Sequence, residues 1–247
     1  MARFFVTPDQ IRQNTINIYD GDVNHIRNVL RMRVGDELSI SDGEGTDYHC
    51  TIQSLDKDIV VCNIENSWKS YSELPVKLYL FQGLPKSDKM ELNIQKAVEL
   101  GAFEVVPVST SRSIVKLDDK KAAKKIARWQ QIAESGAKQS GRAIIPVVKE
   151  PMTFKQALAY AKELDAVLIP YEKAEGIEET RAIIETLKTS QVKSVGIFIG
   201  PEGGFAENEV ELAMEAGAKP ITLGKRILRT ETAGLTTLSI LMFAFEE

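Results

Sequence analysis

Short apolar stretches separated by turns dominate the first seventy residues. Apolar positions alternate or cluster within each stretch, which is typical of half-buried β-strands. Turns such as Val34-Gly35-Asp36 and Ser41-Asp42-Gly43 separate the stretches, and Val23–Arg31 has a helical pattern instead. We therefore predict a small β-barrel-like domain over residues 1–70, followed by a polar boundary at Ser67–Pro75. The predicted strands are Asn17–Tyr19, Glu37–Ser41, Tyr48–Leu55 and Ile59–Ile64.

After Pro75 the pattern changes to strands that alternate with amphipathic helices. Ser87 is expected to cap the first of these helices, and Gly101 to end it. The predicted strands are Val76–Phe81, Val105–Val108, Ile144–Val148, Ala166–Ile169, Val195–Ile199 and Pro220–Leu223. The later helices are Lys120–Gln139, one capped by Thr153, Ile177–Lys188, Glu207–Ala216 and Thr232–Glu246. This alternation predicts an α/β domain over residues 75–247, with a mostly parallel sheet between helices.

Two strand ends in this domain carry unusual loops. Ile199–Phe205 (IGPEGGF) follows an apolar strand, and Leu223–Ala233 (LGKRILRTETA) leads from a short strand into the last helix. Ligands of parallel sheets bind beyond the carboxyl ends of the strands, and glycines expose backbone N–H and C=O groups there. The two loops therefore predict a ligand site, although the glycine-rich segment is also compatible with a simple tight turn. The charged groups of this site would be Glu202, Arg226, Arg229 and Glu231.

Several common site signatures are missing from the sequence. There is no GxxxxGK[ST] phosphate loop, and the loop at Gly200 lacks the GxGxxG spacing of a dinucleotide fold. His25 and His49 both lie in the N-terminal part, so no Ser-His-Asp or Cys-His arrangement is indicated. Cys50 and Cys62 have neither CxxC spacing nor a histidine cluster, and we expect no metal site. We interpret both cysteines as reduced structural residues of a cytoplasmic protein.

The composition excludes two further classes of protein. With 43% hydrophobic and 27% charged residues, the chain resembles ordinary folded proteins rather than disordered ones. Its apolar runs are shorter than the roughly 20 residues that a membrane span requires. We therefore expect no association with a membrane, and the N-terminus shows no secretory signal.

The net charge of −4 does not indicate a uniformly basic nucleic-acid binder. Charge is nevertheless concentrated locally, because Arg112–Arg128 contains seven basic residues and two acidic ones. Such a run can hold phosphates on an acidic protein, since attraction between charges is screened within about 10 Å. A solvated helix face is the alternative interpretation.

The two loops resemble the signature of the RsmE family of SPOUT methyltransferases. Five segments match that family in order along the chain, and they cover both predicted domains. They are His25–Asp36 (HIRNVLRMRVGD), Lys86–Gly101 (KSDKMELNIQKAVELG), Arg128–Arg142 (RWQQIAESGAKQSGR), Ile199–Phe205 and Leu223–Ala233. The third departs from the family pattern at Gly136-Ala137-Lys138, where the family usually has Ala-Ala-Glu. This change adds a basic residue and leaves the resemblance intact.

The resemblance implies a PUA-like β-barrel followed by an α/β domain whose last segment forms a trefoil knot. It also implies a homodimer that binds S-adenosyl-L-methionine (SAM) in the knot and methylates N3 of a uridine in 16S rRNA, either free or in the assembled small ribosomal subunit. The SAM-binding loops would be Ile169–Glu172, Ile199–Gly204 and Leu223–Leu228. The residues expected to bind SAM are Ile169, Pro170, Glu172, Ile199, Gly200, Gly203, Gly204, Leu223, Gly224, Ile227, Leu228 and Ala233.

Catalysis would require a cation near the uracil oxygens and a group that removes the N3 proton. Arg229 is the first candidate for the cation and Arg226 the second, while Glu202 or Glu231 could accept or relay the proton. Either carboxylate could instead pair with an arginine or cap the final helix. The residues expected to contact RNA are Arg3, Arg27, Arg31, Arg33, Arg112, Lys116, Lys120, Lys121, Lys124, Lys125, Lys138 and Arg142.

Three other functions remain open at this point. A related SPOUT enzyme could methylate a ribose hydroxyl or a different base. A non-catalytic RNA-binding or ribosome-assembly factor could retain the fold without binding SAM, although the intact glycine loops argue against this. A dinucleotide-dependent oxidoreductase is disfavoured by the missing fingerprint.

Overall fold

The computed structural model describes residues 2–115, 119–174 and 176–246, with the backbone alone for 119–121. These residues form two compact units. The first extends to Glu73 and also includes Ala137–Ile145, and the second contains the other described residues. Ala137–Ile145 is held in the first unit by Ser41, whose Oγ donates to the carbonyl oxygen of Ala143 at 2.9 Å. The carboxylate of Glu73 accepts the backbone N–H of Ala143 at 2.8 Å.

A five-stranded sheet forms the first unit, as far as the described residues show. Its strands are β1 (Arg3–Phe5), β2 (Thr15–Ile18), β3 (Glu37–Ser41), β4 (Thr46–Leu55) and β5 (Val60–Lys69). Their order is β1-β3-β4-β5-β2, with β1 and β3 parallel and the other neighbours antiparallel. The helical segments are a 3₁₀ turn (Pro8–Gln10), α1 (Gly21–Asn24) and a π-helical turn (His25–Val29). The helix predicted over Val23–Arg31 is therefore replaced by α1 and the π-helical turn.

Alternating side chains of these strands fill the core of the first unit. Ile16 and Ile18 of β2 are buried, as are Leu38 and Ile40 of β3, which is the two-residue period of a half-buried sheet. Cys50 and Cys62 lie in the same core as free thiols. Burial raises the pKa of each thiol to about 12, so both remain protonated and unreactive at neutral pH. The prediction of reduced, structural cysteines is confirmed.

A parallel sheet forms the centre of the second unit, with seven strands among the described residues. They are β6 (Lys77–Gly83), β7 (Ala102–Ser109), β8 (Val147–Val148), β9 (Met152–Thr153), β10 (Ala166–Pro170), β11 (Ser194–Ile199) and β12 (Lys219–Ile221). The order is β12-β10-β11-β6-β7-β8, and β9 also pairs with β7. The helices are α2 (Lys89–Glu99), α3 (Asp119–Ser140), α4 (Phe154–Ala161), α5 (Ile177–Thr189), α6 (Glu207–Glu215) and α7 (Thr230–Phe245). The α/β prediction is confirmed.

Stacked aromatic rings fix the middle of this sheet. Phe81 of β6 and Phe198 of β11 lie face to face, with ring centroids 4.4 Å apart and planes 2° from parallel. Phe154 of α4 contacts Phe198 edge-on. Such ring pairs add about 0.5–1.5 kcal/mol each beyond the burial of their area. Among the described residues, no helix combines the length and apolar character that crossing a membrane requires.

Most elements begin or end a few residues from their predicted bounds, and three of these differences concern features named above. α2 has Asp88 as its N-cap, while Ser87, predicted to cap it, has a left-handed φ of 56°. β8 begins at Val147, because the chain up to Ile145 belongs to the first unit. α7 begins at Thr230, two residues before the predicted start at Thr232. The prediction missed these two residues because they are polar and show no apolar periodicity. None of these differences changes the order of the elements.

Candidate active site

The loops that follow β10, β11 and β12 surround a cavity of about 550 Å³. β10 lies between β11 and β12, and all three strands are parallel, so their carboxyl ends meet at one edge of the sheet. The cavity is lined by Arg112, Pro170, Tyr171, Glu172, Ala174, Gly176, Ile177, Ile199, Gly200, Pro201, Glu202, Gly203, Gly204, Phe205, Thr222, Leu223, Gly224, Lys225, Arg226, Ile227, Leu228, Thr230 and Ala233. Every residue expected to bind SAM lines it except Ile169, which is fully buried in the core. The Ile169 side chain packs in the core of the second unit, and its contact with SAM stays a prediction.

Glycines allow the turn after β11 to close tightly. A Cβ on Gly200 would lie 2.9 Å from the carbonyl carbon of Gly204, so residues 200 and 204 pack backbone against backbone. Gly204 has a φ of +67°, which side chains disfavour. On the other side of this turn, a Cβ on Gly83 would lie 2.7 Å from the nitrogen of Pro201. Backbone atoms therefore pack closely within this turn and against Gly83, which a simple surface turn would not require.

A buried hydrogen-bond chain ties this turn to the start of α7. The Thr230 hydroxyl donates to the carbonyl oxygen of Gly200 at 2.6 Å and accepts from Gln82 Nε2 at 2.9 Å. Gln82 is fully buried, and its Oε1 has no hydrogen-bond partner among the described residues. Gln82 was not predicted as a site residue from the sequence. A polar residue at the carboxyl end of an otherwise apolar strand was the available signal.

The two candidate carboxylates meet at one lysine. Lys89 Nζ lies 3.3 Å from Glu202 Oε1 and 3.4 Å from Glu231 Oε2. The backbone N–H of Lys86 also donates to both Glu202 oxygens, at 3.1 and 3.3 Å. Partial burial raises the pKa of Glu202, but hydrogen bonds from its own N–H, from Lys86 and from Lys89 outweigh burial and hold that pKa below its ordinary value. Lys86 and Lys89 were not among the predicted site residues.

The predicted arginines differ in their placement. Arg226 lines the cavity, whereas Arg229 lies outside the lining, is exposed, and serves as the N-cap residue of α7. Arg112, expected to contact RNA, also lines the cavity and donates to the carbonyl oxygen of Gly203 at 2.8 Å. The residue before Arg112 is held by the buried Glu209. Glu209 Oε1 accepts hydrogen bonds from the backbone N–H of Ser111 at 2.7 Å and from its hydroxyl at 3.0 Å.

Two of the arginines expected to contact RNA have structural roles. Arg142 is 4% exposed and pairs with Glu73, and the Arg3 side chain is 14% exposed and pairs with the buried Asp47. A guanidinium held in this way would have to leave its carboxylate to bind an RNA phosphate, and RNA contact by either residue stays a prediction. Lys138 is half-buried and contacts Asp22 at 3.1 Å.

The remaining RNA candidates fall into three groups. Arg31, Arg33, Lys124 and Lys125 are exposed, and Arg27 is half-buried. Lys116 lies outside the described residues, as do the side chains of Lys120 and Lys121. The described residues include no group of three or more His, Cys, Asp or Glu side chains that could hold a metal ion.

Comparisons with known proteins agree with both units. A family model described as an RNA methyltransferase domain matches residues 72–242, and one described as an RNA methyltransferase PUA domain matches residues 18–65. A relative from Bacillus subtilis (strain 168), named ribosomal RNA small subunit methyltransferase E, is 41% identical over 252 residues, covering 100% of this chain and 98% of the relative. A protein of the same name from Synechocystis is 31% identical, covering 96% of this chain and 76% of the relative.

A solved structure extends the likeness to three dimensions. The ribosomal RNA small subunit methyltransferase E from Neisseria gonorrhoeae, in a crystal structure bound to S-adenosyl methionine, matches with a TM-score of 0.85 and 32% identity. The match covers 99% of this chain and 98% of the other. This chain therefore belongs to the RNA methyltransferase family that includes ribosomal RNA small subunit methyltransferase E, with a PUA-like domain at its N-terminal end.

Proposed function

We propose that this protein uses SAM to methylate N3 of a uridine in the 16S rRNA of the small ribosomal subunit. The observation that carries the proposal is the cavity built by the loops after β10, β11 and β12, in a chain that belongs to this family. The first unit would bind RNA and the second would carry out methyl transfer. Free buried thiols and a ribosomal substrate favour the cytoplasm as the site of action.

The residues around the cavity fit SAM. A volume of about 550 Å³ lies within the range of small-molecule sites. Gly203 and Gly204 place no side chain in the cavity, so a ligand can approach their backbone closely. Leu223, Ile227 and Leu228 offer apolar contacts for adenine. Ile227 is 85% exposed, and the flat adenine ring would cover its side chain. When bound, SAM supplies a methyl group on a positively charged sulfur.

The side chains of the site would manage the charge and the proton of the uracil ring. N3 must lose its proton as it takes the methyl group, so negative charge develops on the ring before the new bond is complete. Arg229 or Arg226 would stabilise that charge at the uracil oxygens. Of the two carboxylates, Glu202 is a poor proton acceptor, because three donors hold its charged form. We assign proton removal to Glu231, whose Oε2 pairs with Lys89 at 3.4 Å and, unlike Glu202, accepts no hydrogen bond from a described backbone N–H.

A direct experiment tests this function. The protein is incubated with methyl-labelled SAM and either undermethylated small subunits or naked small-subunit RNA, and the labelled nucleoside is identified after digestion. We expect label in 3-methyluridine. Label in another nucleoside would contradict the proposed substrate, and absence of transfer to both RNAs would contradict the proposed function. A comparison of the two RNAs shows whether the enzyme acts before or after assembly of the subunit.

The exposed lysines of α3 are proposed to bind RNA phosphates. Lys124 and Lys125 are exposed, and the neighbouring Arg128 pairs with Glu91 but keeps 63% of its side chain exposed. We expect alanine at Lys120, Lys121, Lys124 and Lys125 together to weaken RNA binding. The slope of log affinity against log salt should fall by roughly one for each phosphate that these lysines no longer neutralise.

The control for this variant is alanine at four exposed lysines outside α3, which lie in or next to α4, α5 and β11: Lys155, Lys162, Lys188 and Lys193. It changes the net charge equally but leaves α3 intact. Filter binding over a range of salt concentrations measures both slopes. Equal slopes for the two variants would mean that the α3 lysines form only a solvated surface.

We further propose a homodimer and a trefoil knot in the second unit. α2 packs against α7, and the two helices leave Leu92, Ile240 and Phe243 exposed, with Phe243 at 83%. An apolar face of this kind would be covered by a second copy of the chain. α7 also packs against α5, β6 and β11, which supports threading of the last segment. Sedimentation at the mass of a monomer, 27.4 kDa, would exclude the dimer.

A further inference from the structure

Lys89 occupies a position that links three parts of the chain. It is the first residue of α2, Glu202 lies in the turn after β11, and Glu231 lies in the first turn of α7. The Lys89 ammonium contacts one oxygen of Glu202 and one oxygen of Glu231. The two carboxylates therefore lie close to each other. The side chains of Lys89, Glu202 and Glu231 are 30%, 30% and 19% exposed, which places the cluster at the protein surface but partly shielded from water.

The local structure that places Lys89 is unfavourable by itself. A lysine in the first turn of a helix faces the positive end of the helix dipole, where a carboxylate is preferred. Two residues earlier, Ser87 has a φ of 56°, a left-handed conformation that costs a residue other than glycine about 1 kcal/mol or more. Departures of this kind from local preference are concentrated at functional sites. Here both unfavourable features occur at or next to Lys89, whose ammonium group lies between two carboxylates.

The carboxylates would behave differently without this ammonium. Two carboxylates that share a small site repel each other, and one of them then takes up a proton at higher pH. The Lys89 ammonium contacts both carboxylates and offsets this repulsion. Glu202 is also held by the backbone N–H of Lys86, whereas Lys89 is the one ion-pair partner of Glu231 among the described residues. Lys89 is thus the group on which the orientation of Glu231 depends.

We infer that Lys89 is a positioning residue for methyl transfer, which holds Glu202 and Glu231 at a fixed separation beside the cavity. This inference rests on the proposed function, in which Glu231 accepts the N3 proton. Lys89 itself does not exchange a proton with the substrate. It acts through the carboxylates, and it couples the turn after β11 to the start of α7.

The test compares Lys89→Met with Lys89→Arg. The control is Lys96→Met. Lys96 lies in the same helix, pairs with Glu99 and does not line the cavity. Label transfer from SAM to undermethylated small subunits is measured as a function of pH. We expect Lys89→Met to lower kcat at least about tenfold, because misplacing a reacting group can cost up to about 100-fold. The KM for SAM should stay within about threefold, and Lys89→Arg should recover most of the loss.

The pH profile gives the sign of the effect. Loss of a neighbouring cation raises the pKa of a carboxylate, so the acid limb of kcat/KM should move to higher pH in Lys89→Met. The same shift is expected without substrate, in a titration of protein carrying carbon-13 in its glutamate carboxyl groups. The Glu202 resonance, assigned with Glu202→Gln, should titrate at higher pH in Lys89→Met and be unchanged in Lys96→Met.

Two results would overturn the inference. One is an unchanged kcat and an unchanged Glu202 titration in Lys89→Met. The other is a loss of activity that accompanies an equal loss of SAM binding and a lower melting temperature, with no recovery in Lys89→Arg, which would make Lys89 a structural residue. The titration is independent of substrate, so the inference about Lys89 can fail while the proposed function stands. Label in a nucleoside other than 3-methyluridine overturns the substrate and leaves the comparison of variants valid.

Discussion

Replacing Arg226 and Arg229 together with alanine is expected to lower kcat by about 100- to 1,000-fold, as removal of a group that stabilises transition-state charge does in other enzymes. The reason is the negative charge that the uracil ring acquires when N3 loses its proton. Both arginines are exposed, and neither forms an ion pair with a described residue, so their loss leaves no buried charge unpaired. The melting temperature should therefore change little.

Single variants then separate the two arginines. Arg226 lines the cavity and Arg229 lies at the N-terminus of α7, so the larger single effect identifies the group that reaches the uracil oxygens. Lys219→Ala is the control, because Lys219 is exposed, lies in β12 shortly before this loop and does not line the cavity. The measurement is single-turnover methyl transfer with saturating SAM. A double variant that retains wild-type kcat would remove both arginines from the mechanism.

Replacing Gly200 or Gly83 with alanine is expected to weaken SAM binding by up to about 100-fold, since overpacking costs about 1–3 kcal/mol. A Cβ at Gly200 would lie 2.9 Å from a backbone atom of Gly204, and one at Gly83 would lie 2.7 Å from the backbone nitrogen of Pro201. Backbone atoms cannot rotate away as a flexible side chain can. Each substitution therefore displaces the turn after β11, from opposite sides.

Calorimetric titration with SAM measures this effect. Gly21→Ala is the control, because a Cβ at Gly21 would meet no atom within 4 Å and its φ is not left-handed. We expect its SAM affinity to equal that of the wild type. Wild-type affinity in both Gly83→Ala and Gly200→Ala would mean that the turn does not contact SAM, and the cavity would then require another ligand.

Placement of the arginines shows where charge in a sequence is ambiguous. Arg3, Arg142, Lys124 and Lys125 are equivalent as positive charges along the chain. Folding buries Arg142 against Glu73 and places Arg3 beside Asp47, whereas Lys124 and Lys125 remain exposed. The partner of each arginine is distant in sequence, so no local pattern reports the pairing. For that reason the sequence pattern could not separate the paired arginines from the exposed lysines.

Local chemistry in the sequence was sufficient to predict the order of the α-helices and of all strands except β1 and β9, the parallel sheet and the two loops that border the cavity. Period-two and helical patterns depend on near neighbours, which is why β3 was predicted with its observed ends, Glu37–Ser41. Glycines in Ile199–Phe205 and charges in Leu223–Ala233 likewise indicated a ligand site before any neighbour was known. The resemblance to a methyltransferase family added SAM and RNA to that site.

Only the tertiary structure decided which groups meet. The order β12-β10-β11-β6 brings the three loops to one edge of the sheet, and strand order depends on long-range packing that no periodicity records. The same is true of Gln82 with Thr230, and of Lys89 between Glu202 and Glu231. These contacts join residues far apart in the chain, and their energies depend on burial and distance. Local sequence therefore determined the elements and the kind of chemistry, while folding determined the partners.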